Sequence, residues 1–287
     1  MSPDREGGRF GPSSRVLASV VSFIKRIVAQ SVIVRRSPSE LQKMRASGVL
    51  VYEILQKLGA MVYDGMSLSE LEVAAVKMMA DAGAKPAFKN YKPASADTPY
   101  PYVLCTSVNH EIVHGMPSKG RKLKRGDIVS IDTGLSMNGY FGDSAITVGV
   151  GEISDEAKRL MRVTEESLNL AIEQMKIGNR LFDVSGAVER HVVENGFSVV
   201  REMVGHGIGT KLHEEPQVPN YVDRTQENPR LKEGMVMAIE PMVNMGKADM
   251  KMAPDKWTAM AVDGLPSAHF EHVVAVTANG PWILTKP

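Results

Sequence analysis

The stretch IDTGLSMNGYFGDSA, Ile131 to Ala145, sets two carboxylates among residues that should be building a core. Ile128 to Thr133 alternates with the period of a strand, and Asn138-Gly139 is a strong two-residue hairpin signal. Counting outward from that turn, Met137 faces Tyr140, Asp132 faces Ala145 and Asp143 faces Gly134. The two aspartates become diagonal neighbours on one face, roughly 7–8 Å apart at the backbone. Carboxylates forced together on a half-buried face repel, and one keeps its proton unless a positive charge intervenes. A metal ion is the simplest remedy, although an isolated pair at this spacing reads first as a solvated face.

Three further segments add ligand chemistry. In GHGIG, His206 lies between Gly205 and Gly207 after the strand-like FSVVREMV, and the glycines leave room for a ligand to approach the backbone. In MVMAIEPM an apolar run ends on Glu240 and Pro241; the proline biases Glu240 toward extended geometry at a strand terminus, aimed into a cleft. In HFEHVVAVT, Glu271 precedes another apolar strand. Buried acids without partners cost several kcal/mol, so these ask for counter-charge. Asp132, Asp143, His206, Glu240 and Glu271 together offer four carboxylates and one imidazole. Two divalent cations would neutralise them, and bridging carboxylates hold such ions ~3.5–4 Å apart in two-metal hydrolytic sites. An oxygen-rich set with one nitrogen argues against a closed structural zinc site and suits Mn, Fe or Co as well as catalytic Zn.

The elements that must position these residues follow from capping and periodicity. Ser37-Pro38-Ser39-Glu40 and Ser67 to Glu70 are capping boxes that each open a helix. Strands are expected over Tyr102–Val108, Asp127–Leu135 and Ser144–Val150, then helices over 154–176 and 181–195, stopped by Asn195-Gly196. Ser198–Met203, Met235–Glu240, His269–Thr277 and Trp282–Thr285 complete the strands, while Lys211–Leu231 reads as a long loop, functional or mobile. This order implies an α+β fold with a largely antiparallel sheet.

With 287 residues, 43% hydrophobic, the chain can bury one large core or two modest ones. Lys+Arg 34 against Asp+Glu 33 leaves no global field directed at nucleic acid or a membrane surface. One cysteine, Cys105, excludes an internal disulfide framework and any Cys-based zinc finger, which suits a reducing, cytoplasmic setting. Residues 1–36 differ from the rest, with seven basic residues against Asp4 and Glu6. The run Val16 to Ile24 lacks a convincing signal cleavage site and no stretch approaches the ~18 apolar residues of a membrane span, so a basic, flexible cytosolic arm is expected. The folded domain is expected over 37–287.

At this point CTSVNHEIVHG, GDIVSIDTGLSMNGYFGDSA, GFSVVREMVGHGIG, LHEEPQVPNY, LKEGMVMAIEPMV and FEHVVAVT, in order, resemble the type I methionine aminopeptidase family over about Ser37 to Thr285. The resemblance implies a pita-bread fold, a pseudo-twofold and largely antiparallel sheet with helices on its outer face. It implies removal of the initiator methionine from nascent polypeptides, with a small second residue preferred. The family's ligands fall on the same five positions, for two divalent ions drawn from Co, Mn, Fe, Zn or Ni, and a bridging water or hydroxide would attack the carbonyl carbon after methionine. Glu240 matches the residue proposed to shuttle the proton. His114 matches the histidine at the scissile amide, and His213 the one that stabilises the tetrahedral oxyanion. Read alone, both are ordinary loop histidines, as are His110, His191, His269 and His272. A methionine-sized pocket is implied at Phe88, Tyr91, Tyr100, Cys105, Leu212 and Trp257, since the thioether suits an apolar and aromatic wall.

Three features depart from the short form of the family: the longer rim KPASADTP between Tyr91 and Tyr100, Leu212 where phenylalanine is frequent, and the arm. The arm suggests weak contact with ribosomal RNA. A monomer without membrane attachment is expected. The nearest rival is a proline-specific aminopeptidase or dipeptidase, which carries a large amino-terminal domain that ~36 residues cannot form. A binding module without metal is a rival of a different class, disfavoured by retention of all five ligands and both histidines.

Overall fold

Two capping boxes start the helical layer of the computed structural model, which describes residues 32–94 and 96–287. Ser37 accepts the Glu40 N–H with its hydroxyl while the Glu40 carboxylate accepts the Ser37 N–H at 2.8 Å, opening α1, Pro38–Met61. The Glu70 carboxylate accepts the Ser67 N–H at 2.8 Å ahead of α2, Leu68–Asp81. Strands β1 (Lys85–Pro86), β2 (Cys105–Val108), β3 (Glu111–Val113), β4 (Ile128–Met137) and β5 (Tyr140–Gly149) follow. A second helix pair, α3 (Asp155–Glu173) and α4 (Leu181–Glu194), then precedes β6 (Ser198–Val199), β7 (Gly205–Gly207), β8 (Glu214–Val218), β9 (Val236–Ile239) and β10 (Met242–Asn244). The chain ends with β11 (Met250–Met252), β12 (Ala259–Ala261), β13 (Ser267–His269), β14 (His272–Thr277) and β15 (Gly280–Ile283). Two helices and then strands, twice over, is the repeat expected of the pseudo-twofold α+β architecture.

Each helix pair covers the back of its own sheet. Val51, Leu55 and Leu58 of α1 and Leu71 of α2 pack with Val129, Ile131 and Leu135 of β4. Leu160 and Leu168 of α3 and Val188 of α4 pack with Met237, Ile239, Val274 and Val276. Full burial of each such side chain contributes roughly 1.5–3 kcal/mol before chain entropy is counted. The strands form sheets in the orders β1-β4-β2 with β5 on β4, β13-β10-β6, β11-β12-β3 and β15-β14-β9-β7-β8. Every pair for which a register is defined is antiparallel, as in β4 with β5 and β9 with β14.

Several elements differ from the sequence expectation for physical reasons. The long loop 211–231 contains β8, an edge strand on β7; its polar alternation and Pro216 suit an edge, where one side of the ladder is unpaired. The strand expected over 198–203 stops at Val199, and that expected over 269–277 is broken at Phe270-Glu271. Residues 33–287 form one compact unit. Arg36, counted in the arm from sequence, is buried: its N–H donates to Gly234 O at 2.6 Å and its guanidinium pairs with Glu214. Residues 1–31 of the arm lie outside the described residues. Among the described residues no helix is long and apolar enough to cross a membrane.

Candidate active site

Alternation along β4 and β5 aims the two aspartates away from the helices. Ile131 packs with α1 and α2, so Asp132 points to the opposite face; Gly142 backs onto Gly48 of α1, so Asp143 points the same way. The register is the one counted from the turn: Met137 opposite Tyr140, Asp132 opposite Ala145, Asp143 opposite Gly134. Asn138 and Gly139 take φ of 52° and 80°, the left-handed pair that a type I′ turn requires. On its other side Asp132 faces Cys105 of β2.

Glu240 and Glu271 sit where two strands change sheets at the same level. β9 pairs with β14, whereas β10 pairs with β13, and the breaks hold Glu240-Pro241 on one strand and Phe270-Glu271 on the other. Pro241 has no N–H to offer a ladder. The Glu271 N–H donates instead to Ala145 O at 3.0 Å, and Ser144 Oγ donates to Glu271 O at 2.5 Å, which stitches this break to β5 beside Asp143.

His206 is central in β7. A Cβ on Gly205 would lie 2.4 Å from Ala238 O, and one on Gly207 would lie 2.1 Å from Glu215 O. The flanking glycines therefore admit the carbonyls of neighbouring strands, not a ligand as the sequence suggested. Because a carbonyl can only accept, His206 Nδ1–H donates to Gly207 O at 2.9 Å and the lone pair is left on Nε2, 3.6 Å from Glu240 Oε1.

Ligand atoms of Asp143, His206 and Glu271 all lie within 4.8 Å of one another. Asp132 Oδ1, Asp143 Oδ1 and Glu271 Oε1 are buried with no hydrogen-bond partner among the described residues. Burial pushes the Asp132 carboxyl up to about 8. Burial, then the charges of Asp132 and Glu240, raises Asp143; burial and Asp132 raise Glu240; burial, then Asp143, Glu240 and Asp132, raises Glu271. Burial and His213 press His206 down to about 3. Orphaned acceptors, carboxyls that hold protons for want of counter-charge and an imidazole with its lone pair free make up a donor set that fits divalent cations.

The implied pocket residues fall into two groups that share Phe88. Tyr100, Cys105 and Trp257 form one buried cluster with Phe88 and Ala96 against it; Leu212 belongs to the adjoining cluster, flanked by Phe88 and Tyr91. Tyr100 donates its hydroxyl to Leu104 O at 2.9 Å and meets Trp257 edge-on at 5.1 Å, so polar tip and ring are both fixed. Burial, then Asp132, raises the Cys105 thiol far above its ordinary value, so it stays a protonated, inert wall. Asp97 of the rim pairs with Lys256, next to Trp257, at 2.5 Å.

His114 and His213 are held by different neighbours. His114 takes φ of 60° and turns its ring edge-on to Trp257 at 6.3 Å; burial, then His213, lowers it to about 4. His213 packs on His206 at 4.2 Å and remains partly exposed; partial enclosure lowers its pKa. His269, read as ordinary, is 1% exposed, with Nε2 3.8 Å from Glu240 Oε2 and neither ring nitrogen hydrogen-bonded among the described residues. The available signal was its place two residues before Glu271, since alternate strand residues share a face.

Residues 42–278 match metallopeptidase family M24, and the chain belongs to that family. Among its relatives, the methionine aminopeptidase of Clostridium perfringens is 46% identical over 253 residues, spanning 88% of this chain and 98% of that protein. The methionine aminopeptidase 1 of Bacillus subtilis is also 46% identical, over 254 residues, 88% and 99% of the two chains. The crystal structure of methionine aminopeptidase from Thermotoga maritima superposes with a TM-score of 0.84 at 42% identity, covering 89% of this chain and 100% of that one. The prolidase of Pyrococcus furiosus, at 20% identity and TM-score 0.67, shares the fold alone. The fold is that of the pita-bread metallopeptidases.

Proposed function

We propose that the chain removes an N-terminal methionine from peptides and nascent polypeptides, using divalent cations held by Asp132, Asp143, His206, Glu240 and Glu271. The observation that carries this reading is the buried cluster of orphaned carboxylates directly beside an apolar, aromatic wall: Asp132 of the cluster and Cys105 of the wall are ladder partners. The identity to relatives named methionine aminopeptidase supports the substrate. Two ions are proposed from the count of carboxylates; when bound they supply Lewis acidity and a water acidified toward neutral pH.

The chain's own residues divide the remaining work. Phe88, Tyr91, Tyr100, Cys105, Leu212 and Trp257 hold the methionine side chain, fixing which carbonyl faces the carboxylates. Glu240 accepts the proton of the attacking water and returns it to the leaving nitrogen, steadied by His114 at the amide. His213 donates to the oxygen that gains negative charge. A small second residue is preferred, the protein acts as a monomer, and the basic residues of 1–31 touch ribosomal RNA weakly. Since Arg36 is part of the folded unit, the arm is tested by deleting 1–31 only; unchanged ribosome co-sedimentation at low salt would remove that contact from the proposal.

The decisive experiment is mass spectrometry of Met-Ala-Ser, Met-Lys-Ser and Ala-Pro-Ser peptides, with chelated enzyme and after addition of Mn or Co. Metal-dependent release of methionine from the alanine peptide is the expected result, with the lysine peptide spared. Cleavage of the proline peptide instead would assign the chain to the prolidase-like branch, and no cleavage with metal bound would leave a binding module.

A further inference from the structure

Tyr91 enters the reading above only as pocket wall, yet its hydroxyl does something a wall need not do. The oxygen lies 2.5 Å from Nδ1 of His213, with the rings tilted 55° and their centroids 5.0 Å apart. Such a contact has two senses. Either the phenol donates to Nδ1, or Nδ1–H donates to the phenol oxygen. A phenol is a stronger acid than a neutral imidazole N–H, and an imidazole nitrogen is a stronger base than a phenol oxygen. The phenol O–H is therefore the better donor and the imidazole nitrogen the better acceptor, so Tyr91 donates and Nδ1 accepts. A neutral imidazole carries a single N–H, so the hydrogen of His213 is placed on Nε2.

The His213 ring is partly exposed, and the segment that carries it is held in place by its neighbours. His206 packs edge-on against the His213 ring at 4.2 Å. Leu212 on one side is buried. Glu214 on the other is held by the Arg36 guanidinium and by the N–H groups of Thr210 at 2.8 Å and Lys211 at 3.1 Å. Tyr91 is itself seated beside Phe88 and Leu212 in one apolar cluster, and its N–H donates to Phe88 O at 2.8 Å.

We propose that Tyr91 is a positioning residue that fixes His213 in the Nε2–H tautomer, the only neutral form able to donate from Nε2 to a developing oxyanion. The catalytic consequence rests on the proposed role of His213 as that donor. The pocket wall and the oxyanion donor then share one hydrogen bond, so the residue that touches the methionine side chain also readies the group that stabilises the reacting oxygen.

The test joins nitrogen-15 NMR of the His213 ring with steady-state kinetics, on full-length, zinc-loaded enzyme at pH 7.5. The His213 resonances are identified by their loss in His213→Gln. The unaltered protein should show Nδ1 unprotonated and Nε2 protonated. Tyr91→Phe, which keeps the ring and the pocket, should give a mixed tautomer and a kcat on Met-Ala-Ser about tenfold lower, less than the ~10²–10³ lost on removing an oxyanion donor outright. KM should stay within about twofold, because the wall is intact. A protonated Nδ1 in the unaltered protein, or a tautomer unmoved by Tyr91→Phe whatever the rate does, overturns the proposal. A tautomer that shifts while kcat does not would uphold the role of Tyr91 and instead remove His213 from the oxyanion.

Discussion

At Asp143 one carboxylate serves opposite ends with and without metal. Its Oδ1 is buried without a partner, and the charges of Asp132 and Glu240 add to burial in raising its pKa. Asp143→Asn removes a charge the metal-free protein does not want and a ligand the loaded protein needs. In chelator the variant should melt about 2–4 °C above the unaltered chain, which corresponds to roughly 1 kcal/mol at this size. With zinc added the order should reverse, and kcat/KM should fall by more than about 100-fold. Thermal melts in both conditions, with metal counted by mass spectrometry, read this directly. A lower melting temperature in chelator would mean that the carboxylate is held by the protein itself and is not waiting for a cation. That Asp143 shares a face with Asp132 was legible from sequence because its position depends on a local count from Asn138-Gly139. His269 was legible only in part: its spacing from Glu271 hints at a shared face, but its closeness to Glu240 depends on which strands pair across the break.

Close backbone contact, together with the apolar clusters, places the first helix against the hairpin. A Cβ on Gly142 would lie 2.7 Å from the Gly48 N of α1, and one on Gly48 would lie 2.4 Å from Leu284 O. Helix, hairpin and carboxy-terminal segment are thus layered through glycines, with Asp143 the next residue along the hairpin. Gly142→Ala should cost about 1–3 kcal/mol, the usual penalty for overpacking, and should weaken metal affinity as the hairpin shifts. Chemical denaturation paired with zinc titration would measure both; unchanged stability would show that α1 moves away freely and does not seat the hairpin. Helices and the hairpin could be read from capping boxes and turn chemistry, which are signals within a few residues. The division of 269–277 into β13 and β14, and the strand hidden in HEEPQV, could not. The first is set by a partner far along the chain, Ala145 for Glu271; the second pairs with nearby β7 across a bulge, which leaves β8 without a regular apolar alternation to read.

For the whole molecule, the buried groups set how stability responds to pH. The four carboxyls of the cluster, and the less deeply buried Glu72, have folded pKa values above the unfolded range of about 4, so the native state binds more protons than the unfolded chain and stability falls as pH rises toward the folded values, about 8 for Asp132. The buried imidazoles act in the opposite sense. His114 at about 4, and His206, His269 and His272 at about 3, lie below their ordinary 6.5, so they add stability as pH climbs to 6.5 and nothing beyond it. Below about 6.5 the two sets oppose each other; between about 6.5 and about 8 the carboxyls act alone. The chelated protein should therefore lose several degrees of melting temperature across that upper window. Divalent cations take the place of the protons, and their affinity grows as the carboxyls ionise, so with excess zinc the slope should flatten or reverse. Scanning fluorimetry at half-unit pH steps, with chelator and with zinc, gives the two slopes. Parallel slopes would mean that the ion is not replacing protons on this cluster, and the metal would then have to be sought elsewhere in the molecule.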